Sequence, residues 1–403
     1  MIKKKGNKGK AEIILKVNIK FLKLLFIFIM IIVDLYFYFF KEIKNINKAI
    51  IESKYYKSFD KMKRRFIKDS ILKHYIKKIS IIKHVYNKNN KFIKKKKNNI
   101  HICVSLNDRY VYPLLVSIES VLINCDKQKT YITYYILCAP DLREITLLKL
   151  KSLVYKYPLN LEMIFYNMGN NFLRLYDKRL SQAAYYRLLA PIIINLKKII
   201  YLDGDTLTLK DLNDMYNLNF SNNYILGFLG ILSEGLDYLE LKSEKYINSG
   251  VILLNLEKIR DDNKIYNLLN FAFSGVKFRN QDQTIINYVF YPQIGTLPIK
   301  YGIFNFYDFS DTKKYLKKIR IQVNETELEE SINDPAIIHH DLCYPKVWTL
   351  KSKFTEGFTC CRQRKNCSCK KYQDLWFFYA SKTDYYSEIL NYTKRKEYIF
   401  SKK

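Results

Sequence analysis

The sequence lacks the short motifs of several large enzyme classes. Its 403 residues contain no G-x-x-x-x-G-K-[ST] phosphate loop and no G-x-G-x-x-G pattern, so P-loop NTPases and dinucleotide-binding enzymes are not indicated. Neither G-x-S-x-G nor H-E-x-x-H is present, which argues against α/β-hydrolases and zincin metalloproteases. No internal repeat occurs, and low complexity is confined to lysine-rich stretches before residue 98. A repeat architecture is therefore excluded.

Acidic residues are scarce near the start of the chain. The first 100 residues hold 28 of the 69 Lys and Arg residues but only 6 of the 38 Asp and Glu residues. The formal net charge of +31 would by itself favour a nucleic-acid-binding protein. Because the excess lies mainly in this leader, we expect no nucleic-acid partner. Lys, Asn, Ile, Tyr and Phe all have A/T-rich codons, so genome composition is an alternative explanation for part of the lysine content.

One long apolar run, FLKLLFIFIMIIVDLYFYFF, occupies residues 21–40, and its length suits a bilayer-spanning helix. Lys23 near its start can snorkel, whereas Asp34 is costly in hydrocarbon. No small-x-small cleavage pattern follows, which argues against a cleaved signal peptide; a buried core helix is the other alternative. The short basic tail 1–20 favours a cytoplasmic N terminus. We expect a single-pass type II signal anchor, in the Golgi or another secretory compartment of a eukaryote or in the inner membrane of a bacterium.

The rest of the chain divides into three predicted parts. Residues 41–98 are strongly basic and are expected to form a stem, partly helical. Over residues 99–350 short apolar runs alternate with helical patterns, which predicts an α/β domain with a parallel sheet. Residues 351–403 form a Cys-rich and helical C-terminal extension. Its cluster CCRQRKNCSC, residues 360–369, suits disulfides better than a zinc site, because paired C-x-x-C spacing is missing.

Within the α/β domain the predicted strands and helices have approximate bounds. The strands are expected at 131–138, 161–166, 198–205, 224–230, 247–256 and 335–340, after a first strand that begins near residue 100. The helices are expected at 112–124, 141–156, 256–274 and 280–290. This alternation, with right-handed crossovers, brings the ends of several strands to one edge of the sheet.

Two carboxylates follow the apolar pair Ile199 and Ile200. In an extended segment residues i and i+2 point to the same side, so Asp203 and Asp205 aim at one point. Like charges at close range repel each other unless a cation joins them, and oxygen ligands suit Mn²⁺ or Mg²⁺. The alternative is an ordinary Asp-Gly-Asp turn that ends a strand.

Four further motifs surround these carboxylates in a fixed order. With the metal segment they are SLNDRY at 105–110, AYYRLL at 184–189, YLDGDTLTLKDL at 201–212, YINSGVILLNL at 246–256 and NQDQTIIN at 280–287. Over about residues 100–350 the sequence resembles glycosyltransferase family 8, the group of glycogenin and the bacterial lipopolysaccharide galactosyl- and glucosyltransferases.

The resemblance implies a fold and an activity. The fold would be a Rossmann-like nucleotide-diphospho-sugar transferase fold, of the α/β class. The activity would be metal-dependent hexosyl transfer from a UDP-sugar to a sugar, glycolipid or glycoprotein acceptor, with retention of anomeric configuration and with Mn²⁺ or Mg²⁺ as cofactor. The expected partners are therefore a UDP-sugar donor and a carbohydrate-bearing acceptor. The alternative is a catalytically silent family member that acts as a binding module.

For the metal, the resemblance implies Asp203 and Asp205 together with one of the neighbouring histidines. In the family a lysine follows the histidine ligand by six residues, and this spacing to Lys346 selects His340. A ligand placed directly after the Ile-Ile strand would instead be His339. Adjacent side chains on a strand point to opposite faces, so only one of the two can reach the metal. Lys346 would neutralise the diphosphate. Here the sequence departs from the family, because Val347 replaces the usual proline and no glycine lies between the histidines and this lysine.

The remaining implied roles concern the donor and the transferred sugar. Residues implied to contact the donor are Ser105, Asn107, Tyr110, Arg187, Asp203 and Lys346. Residues implied to hold the sugar, or to act in catalysis, are Asn248, Asp282 and Gln283, and either of the last two is a candidate nucleophile. A same-face attack guided by the phosphate needs neither. Two alternatives remain open at this point, a core aromatic for Tyr110 and a helix-surface side chain for Arg187. Trp348 is expected to close over the site or to pack beneath it.

Overall fold

The structure is a computed structural model of the whole chain. It describes residues 80–85, 97–170, 172, 182–230, 241, 245–273, 280–304, 313, 324–340, 346, 348 and 369–400. The predicted tail 1–20, the predicted anchor 21–40 and the cysteines before Cys369 in the 360–369 cluster lie outside the described residues. In the part of the chain that the structure describes, every helix is too short or too polar to cross a bilayer.

Eleven strands form two sheets in the described residues. They are β1 (Ser80–Val85), β2 (Asn98–Leu106), β3 (Thr130–Cys138), β4 (Leu161–Asn167), β5 (Lys198–Leu202), β6 (Thr206–Thr208), β7 (Ile225–Leu229), β8 (Ile247–Asn255), β9 (Ile294–Thr296), β10 (Ile303–Phe304) and β11 (Ile337–His339). The larger sheet has eight strands in the order β1-β4-β3-β2-β5-β8-β7-β9, and the smaller has three in the order β10-β11-β6.

Helices connect and cover these strands. They are α1 (Val111–Asn124), α2 (Glu144–Lys156), α3 (Ala190–Ile193), α4 (Asn213–Tyr216), α5 (Leu256–Asp261), α6 (Lys264–Ala272), α7 (Gln281–Phe290), α8 (Glu325–Asn333), α9 (Cys369–Ser381) and α10 (Tyr386–Phe400). Short 3-10 segments occur at Asp108–Tyr110, Gln182–Leu189 and Ile299–Tyr301.

The main sheet is mixed but dominated by parallel pairs in its centre. Strands β4, β3, β2 and β5 are parallel, and all nine residues of β3 are buried, as expected for a strand covered on both faces. Strand β8, however, runs antiparallel to both β5 and β7. The predicted α/β class is therefore confirmed, and the expected parallel pairing is replaced by antiparallel pairing at β8 and at the edge strand β1.

Strand β1 lies within the segment that the sequence predicts to be a stem. It pairs antiparallel with β4, with Ser80 opposite Asn167 and Val85 opposite Met163. Its sequence SIIKHV is rich in β-branched residues, which favour strands. The folded sheet thus extends into residues 41–98, and residue 99 is not its first residue.

A second core joins the small sheet to the end of the chain. It contains Leu207 of β6, Ile338 of β11, Val116 of α1, Trp348 and Trp376 of α9, all nearly or fully buried. The helical pattern predicted for the C-terminal extension corresponds to α9 and α10, and α9 packs on α1. The extension is thus part of the folded domain.

Candidate active site

The candidate metal site lies where three chain segments meet. Asp203 follows the last residue of β5, and its backbone N–H donates to the carbonyl of Gly250 on β8 at 2.7 Å. Strands β6 and β11 are antiparallel, so His339 lies opposite Thr206 and next to Asp205. The His339 Nε2 atom is 3.7 Å from Asp203 Oδ2 and 3.3 Å from Asp205 Oδ1. One ligand atom from each residue lies within 4.8 Å of the others.

The structure brings His339, and not His340, to the two carboxylates. His340 is the next residue after β11, its side chain is fully buried, and neither of its ring nitrogens has a hydrogen-bond partner. Burial lowers the pKa of His340 to about 3, although Asp205 opposes this shift. The physical reason for the division is that adjacent side chains at the end of a strand leave on opposite faces. His340 is therefore not a metal ligand in this geometry.

Gly250 gives the cluster its space. A Cβ atom at this position would lie 2.2 Å from His339 Cε1 and 2.6 Å from Asp203 Oδ2, which are distances that real Cβ atoms do not adopt. A side chain at position 250 would thus fill the space beside His339 and Asp203. Two carboxylates and an imidazole are a ligand set that suits Mn²⁺ and related divalent ions. The residues therefore fit a divalent cation at this position.

Lys346 lies against the same carboxylates. Its Nζ atom donates to Asp205 Oδ2 at 2.9 Å and to the carbonyl of His340 at 2.8 Å. Burial would raise the pKa of Asp205, but Lys346 and His339 lower it more, so the pKa lies well below its usual range. Asp205 is therefore ionised at neutral pH. The unusual loop composition does not keep the lysine away from the site.

Arg187 is a buried bridge between two carboxylates. It comes from the 3-10 segment Gln182–Leu189, and only 5% of its side chain is exposed. One terminal nitrogen lies 2.8 Å from Asp203 Oδ1, and Nε lies 3.1 Å from Asp282 Oδ2. Burial acts to lower the pKa of Arg187, but the carboxylates of Asp203 and Asp282 raise it by more than burial lowers it. The guanidinium therefore stays charged. The helix-surface alternative for this arginine is wrong.

The predicted sugar-holding residues lie along the start of β8 and α7. Asp282 Oδ2 accepts from Ser249 Oγ at 3.1 Å, and Gln283 Oε1 accepts from the Ser249 N–H at 3.2 Å. Asn248 Oδ1 accepts from the Gly250 N–H at 2.8 Å. Burial raises the pKa of Asp282 to about 6, with Arg187 opposing the shift and Asp203 adding to it. The structure thus groups Asn248, Asp282 and Gln283 beside Arg187.

Ser105 at the end of β2, and Asn107 and Tyr110 just after it, take separate roles. Ser105 Oγ accepts from Tyr201 Oη at 3.0 Å, which ties the end of β2 to the metal strand. Asn107 caps the 3-10 segment after it by accepting from the Arg109 N–H at 3.0 Å. The Tyr110 ring meets the Trp348 ring edge-on, with centroids 6.0 Å apart. Tyr110 is half-buried and packs against the second core.

Two residues were not predicted as parts of the site. Tyr201 lies under the Arg187 guanidinium at 4.2 Å from ring centroid to Cζ, and its hydroxyl oxygen is 3.3 Å from Asp203 Oδ1. Ser249 contacts Arg187, Asp282 and Gln283. Both lie within the quoted motifs. Tyr201 stands two residues before Asp203, so strand alternation places it on the same face, and this signal was available in the sequence.

Fold and site together describe a mixed α/β domain with a candidate divalent-cation site at the ends of its central strands. Residues 101–349 match the family model described as Glycosyl transferase family 8. The match covers more than half of the chain, so the chain belongs to glycosyltransferase family 8.

Individual relatives agree with this assignment. A protein of Haemophilus influenzae named as a glycosyltransferase is 31% identical over 191 residues, which are 45% of this chain and 56% of that protein. The chain thus spans little more than half the length of that relative. General stress protein A of Bacillus subtilis is 23% identical over 296 residues, which are 70% of this chain and 94% of that protein.

Solved structures share the fold. The bifunctional glycosyltransferase WbbM superposes with a TM-score of 0.58 at 19% identity, over 73% of this chain and 51% of that chain. An active-site mutant of LgtC superposes with a TM-score of 0.53 at 18% identity, over 71% of this chain and 96% of that chain. At these identities the likeness supports the architecture alone.

Proposed function

We propose that this glycosyltransferase moves a hexose from a UDP-sugar to a sugar, glycolipid or glycoprotein acceptor, with the help of Mn²⁺ or Mg²⁺ and with retention of anomeric configuration. The observation that carries the proposal is the cluster of Asp203, Asp205 and His339 beside the Arg187–Asp282 pair. The structure of galactosyltransferase LgtC in complex with donor and acceptor sugar analogs, at 17% identity and a TM-score of 0.53, supports partners of this kind.

Asp203, Asp205 and His339 would hold the divalent cation. A cation bound there neutralises the charge that develops on the leaving diphosphate. Lys346 lies against Asp205 and supplies a second, compact positive charge for the phosphate oxygens. The negative charge on the diphosphate grows as the glycosidic bond breaks. Stabilising that charge is the largest contribution that a site of this kind makes to the rate of transfer.

Arg187 lies between the carboxylates of Asp203 and Asp282, pairs with both and so fixes their orientation. Through it the sugar-holding group on α7 is tied to the metal strand β5. With a pKa of about 6, Asp282 is mainly ionised at neutral pH and accepts hydrogen bonds from sugar hydroxyls. Asn248 and Gln283 add amide groups that both donate and accept.

Retention is compatible with a same-face attack. In that route the acceptor oxygen bonds to the anomeric carbon on the face from which the diphosphate leaves. The acceptor proton passes to the leaving phosphate oxygen as the anomeric carbon–oxygen bond breaks. Asp282 then acts by binding and orienting the sugar. The alternative route uses Asp282 or Gln283 as a nucleophile that forms a covalent glycosyl intermediate.

A panel of UDP-hexoses, assayed by UDP release with Mn²⁺ and then by proton NMR of the product, tests the proposal. We expect one donor to be used well above the others and the product to keep the donor's anomeric configuration. Asp205→Asn is the matched control, because it keeps the shape of the side chain and removes its charge. A protein that binds UDP with Mn²⁺ but turns over no donor would instead be a binding module, an outcome that the departures around Lys346 motivate.

We also propose a location for this activity. A helix over residues 21–40 would anchor the chain as a single-pass type II membrane protein, with the catalytic domain across the membrane from the N terminus. The length and apolarity of the run and the basic tail before it support the proposal. The compartment would be the Golgi or another secretory compartment in a eukaryote, and the inner membrane in a bacterium.

A further inference from the structure

Helices α9 and α10 lie beyond residue 349, where the family match ends, and no role has been assigned to them. Helix α9 places Trp376 against Trp348, with ring centroids 6.0 Å apart and planes inclined by 39°. Both indoles are buried, with exposed fractions of 1% and 2%. They are the two tryptophans of the chain. The C-terminal extension therefore makes a fixed contact with the segment that follows the metal site.

Trp348 in turn contacts two residues proposed to bind the donor. The Lys346 ammonium lies 5.7 Å from the Trp348 ring centroid, within the range of a cation–π interaction. The edge of the Tyr110 ring meets the same indole at a centroid distance of 6.0 Å and an interplanar angle of 76°. One buried side chain thus connects the lysine proposed to neutralise the diphosphate with a tyrosine that the family resemblance places at the donor.

Helix α10 supports the same two residues from a second direction. Tyr392 donates from its hydroxyl to the carbonyl of Arg109 at 2.8 Å, which is the residue directly before Tyr110. Burial raises the pKa of Tyr392, and the Trp348 side chain beside its hydroxyl opposes this shift. Tyr392 packs on Tyr112 with ring centroids 5.0 Å apart. Both helices of the extension therefore converge on Trp348 and on the 3-10 segment Asp108–Tyr110.

The helix pair is anchored to the main domain on its other side. Asn124 at the end of α1 donates to the Tyr379 hydroxyl at 2.7 Å. The buried ammonium of Lys149 on α2 forms an ion pair with Glu388 of α10, and Glu388 also accepts from Tyr112 at 2.9 Å. Contacts to α1 and α2 on one side and to Trp348 on the other give α9 and α10 the form of a brace.

We propose that α9 and α10 are a brace that positions Lys346 and Tyr110 for the diphosphate and the base of the nucleotide-sugar donor. Trp376 and Tyr392 are the positioning residues, and neither contacts the donor. The inference rests on the proposed function. A lysine side chain has four rotatable bonds, and small misplacements of binding groups cost a large part of their effect, so a rigid indole beside the ammonium has a clear benefit.

Variants at Trp376 test the brace. We expect Trp376→Ala to raise the donor KM and the Kd for UDP with Mn²⁺ by about tenfold, with the acceptor KM unchanged. Trp376→Phe keeps an aromatic ring and is expected to restore most of the affinity. Phe378→Ala is the matched control, because Phe378 lies on the same helix with 49% of its surface exposed and its aromatic contact is with Tyr379, away from the two indoles. Its donor KM is expected to equal that of the full-length wild-type protein.

Because Trp376 is buried, its variants can fail to fold. Tyr392→Phe is a second and milder test of the brace. It removes one hydroxyl, and with it the hydrogen bond to the Arg109 carbonyl, while the ring remains to pack on Tyr112. We expect UDP affinity to fall by about threefold, roughly the loss of one modest hydrogen bond. Because Trp348 and Trp376 are the two tryptophans, intrinsic fluorescence reports on the brace directly, and UDP with Mn²⁺ is expected to change it.

The outcomes separate the brace from the activity. If the wild-type protein neither binds UDP with Mn²⁺ nor turns over a UDP-sugar, the proposed function fails. If it does bind UDP, and folded Trp376→Phe, Trp376→Ala and Tyr392→Phe all keep wild-type donor KM and UDP affinity, the brace is overturned. A loss of kcat with an unchanged donor KM would equally contradict a positioning role at the donor.

Discussion

Gly250 and Gly204 are both next to metal residues, but only one of them lacks room for a side chain. A Cβ atom at Gly250 would lie within 2.6 Å of Asp203 Oδ2, and one at Gly204 would meet its nearest neighbour, Leu114, at 3.6 Å. The glycine between the two carboxylates in sequence is thus the tolerant one. The glycine on a distant strand carries the steric requirement of the site.

Alanine at each glycine tests this difference. We expect Gly250→Ala to weaken Mn²⁺ binding by at least about tenfold, because His339 and Asp203 must move apart to admit the methyl group. Gly204→Ala, the control, is expected to bind Mn²⁺ as the wild type does. Calorimetric titration of each purified variant measures the affinities. If both variants bind Mn²⁺ with the affinity of the wild type, the cluster is not the metal site.

His339 and His340 differ in the same way. We expect His339→Ala to weaken Mn²⁺ binding by at least about tenfold, on the order of 1.4 kcal/mol, because one of three protein ligands is lost. His340→Leu is expected to keep the metal affinity and to leave the Tm equal or higher. The substitution removes two buried ring nitrogens that have no hydrogen-bond partner, and such groups cost stability. A shifted Mn²⁺ midpoint in His340→Leu, with none in His339→Ala, would reverse the assignment.

The pKa of Asp282 predicts an acid limb in the pH profile. With a pKa of about 6 the carboxylate is lost below that pH, so kcat at saturating donor and Mn²⁺ is expected to fall towards pH 5. Saturating metal removes the competition between protons and the cation. Asp205 stays ionised and His340 stays neutral across this window. In Asp282→Asn the limb should be absent; a limb that persists there would assign it to another group.

Protonation of Asp282 does not itself destabilise the fold over this pH range. The folded-state pKa of Asp282 is raised, so the folded state binds this proton more tightly than the unfolded state does. The contribution of this group to stability therefore rises as the pH falls from about 6 towards its ordinary pKa near 4. Melting curves at each pH provide the check.

At the scale of elements, the edge strand β1 determines where the folded domain begins. It covers the outer edge of β4, whose N–H and carbonyl groups would otherwise be exposed and prone to pair with other chains. We expect a chain that begins at residue 77 to melt at least about 4 °C higher than one that begins at residue 97, and to aggregate less. Equal melting temperatures would show that β1 contributes nothing to the fold.

The long elements of the central domain were predictable because their patterns are strong. Strand β3 was expected at 131–138 and spans Thr130–Cys138, and α1 was expected at 112–124 and spans Val111–Asn124. The small sheet was not predictable as a unit, because β6, β10 and β11 have only two or three residues each and carry almost no periodic signal. The direction of β8 depends on pairing, which alternation of residue types does not encode.

The site was predictable in its residue types but not in its partners. The spacing of Asp203 and Asp205 predicted that the two carboxylates converge, but the structure brings them together across the turn between β5 and β6 and not along a continuous strand. The choice between the two histidines needed the register of β11 against β6, and the burial of Arg187 needed the sheet and α7 around it. Both depend on contacts between segments far apart in the chain.

At the scale of the whole molecule, the basic leader and the apolar run predict attachment to a membrane. We expect the full chain to stay with membranes through washes with high salt and with carbonate, whereas a chain that begins at residue 77 remains in the supernatant and keeps its activity. Release of the full chain by high salt alone would instead indicate adsorption through the lysine-rich leader.

The central claim is that sugar transfer depends on a cation held by Asp203, Asp205 and His339. UDP release from the preferred donor by EDTA-treated protein, titrated with Mn²⁺, tests it most directly. Turnover should be absent in EDTA, return as Mn²⁺ is added, and stay absent in Asp203→Asn and Asp205→Asn at every concentration. Full turnover in EDTA, or Mn²⁺-restored turnover in both variants, would contradict the account.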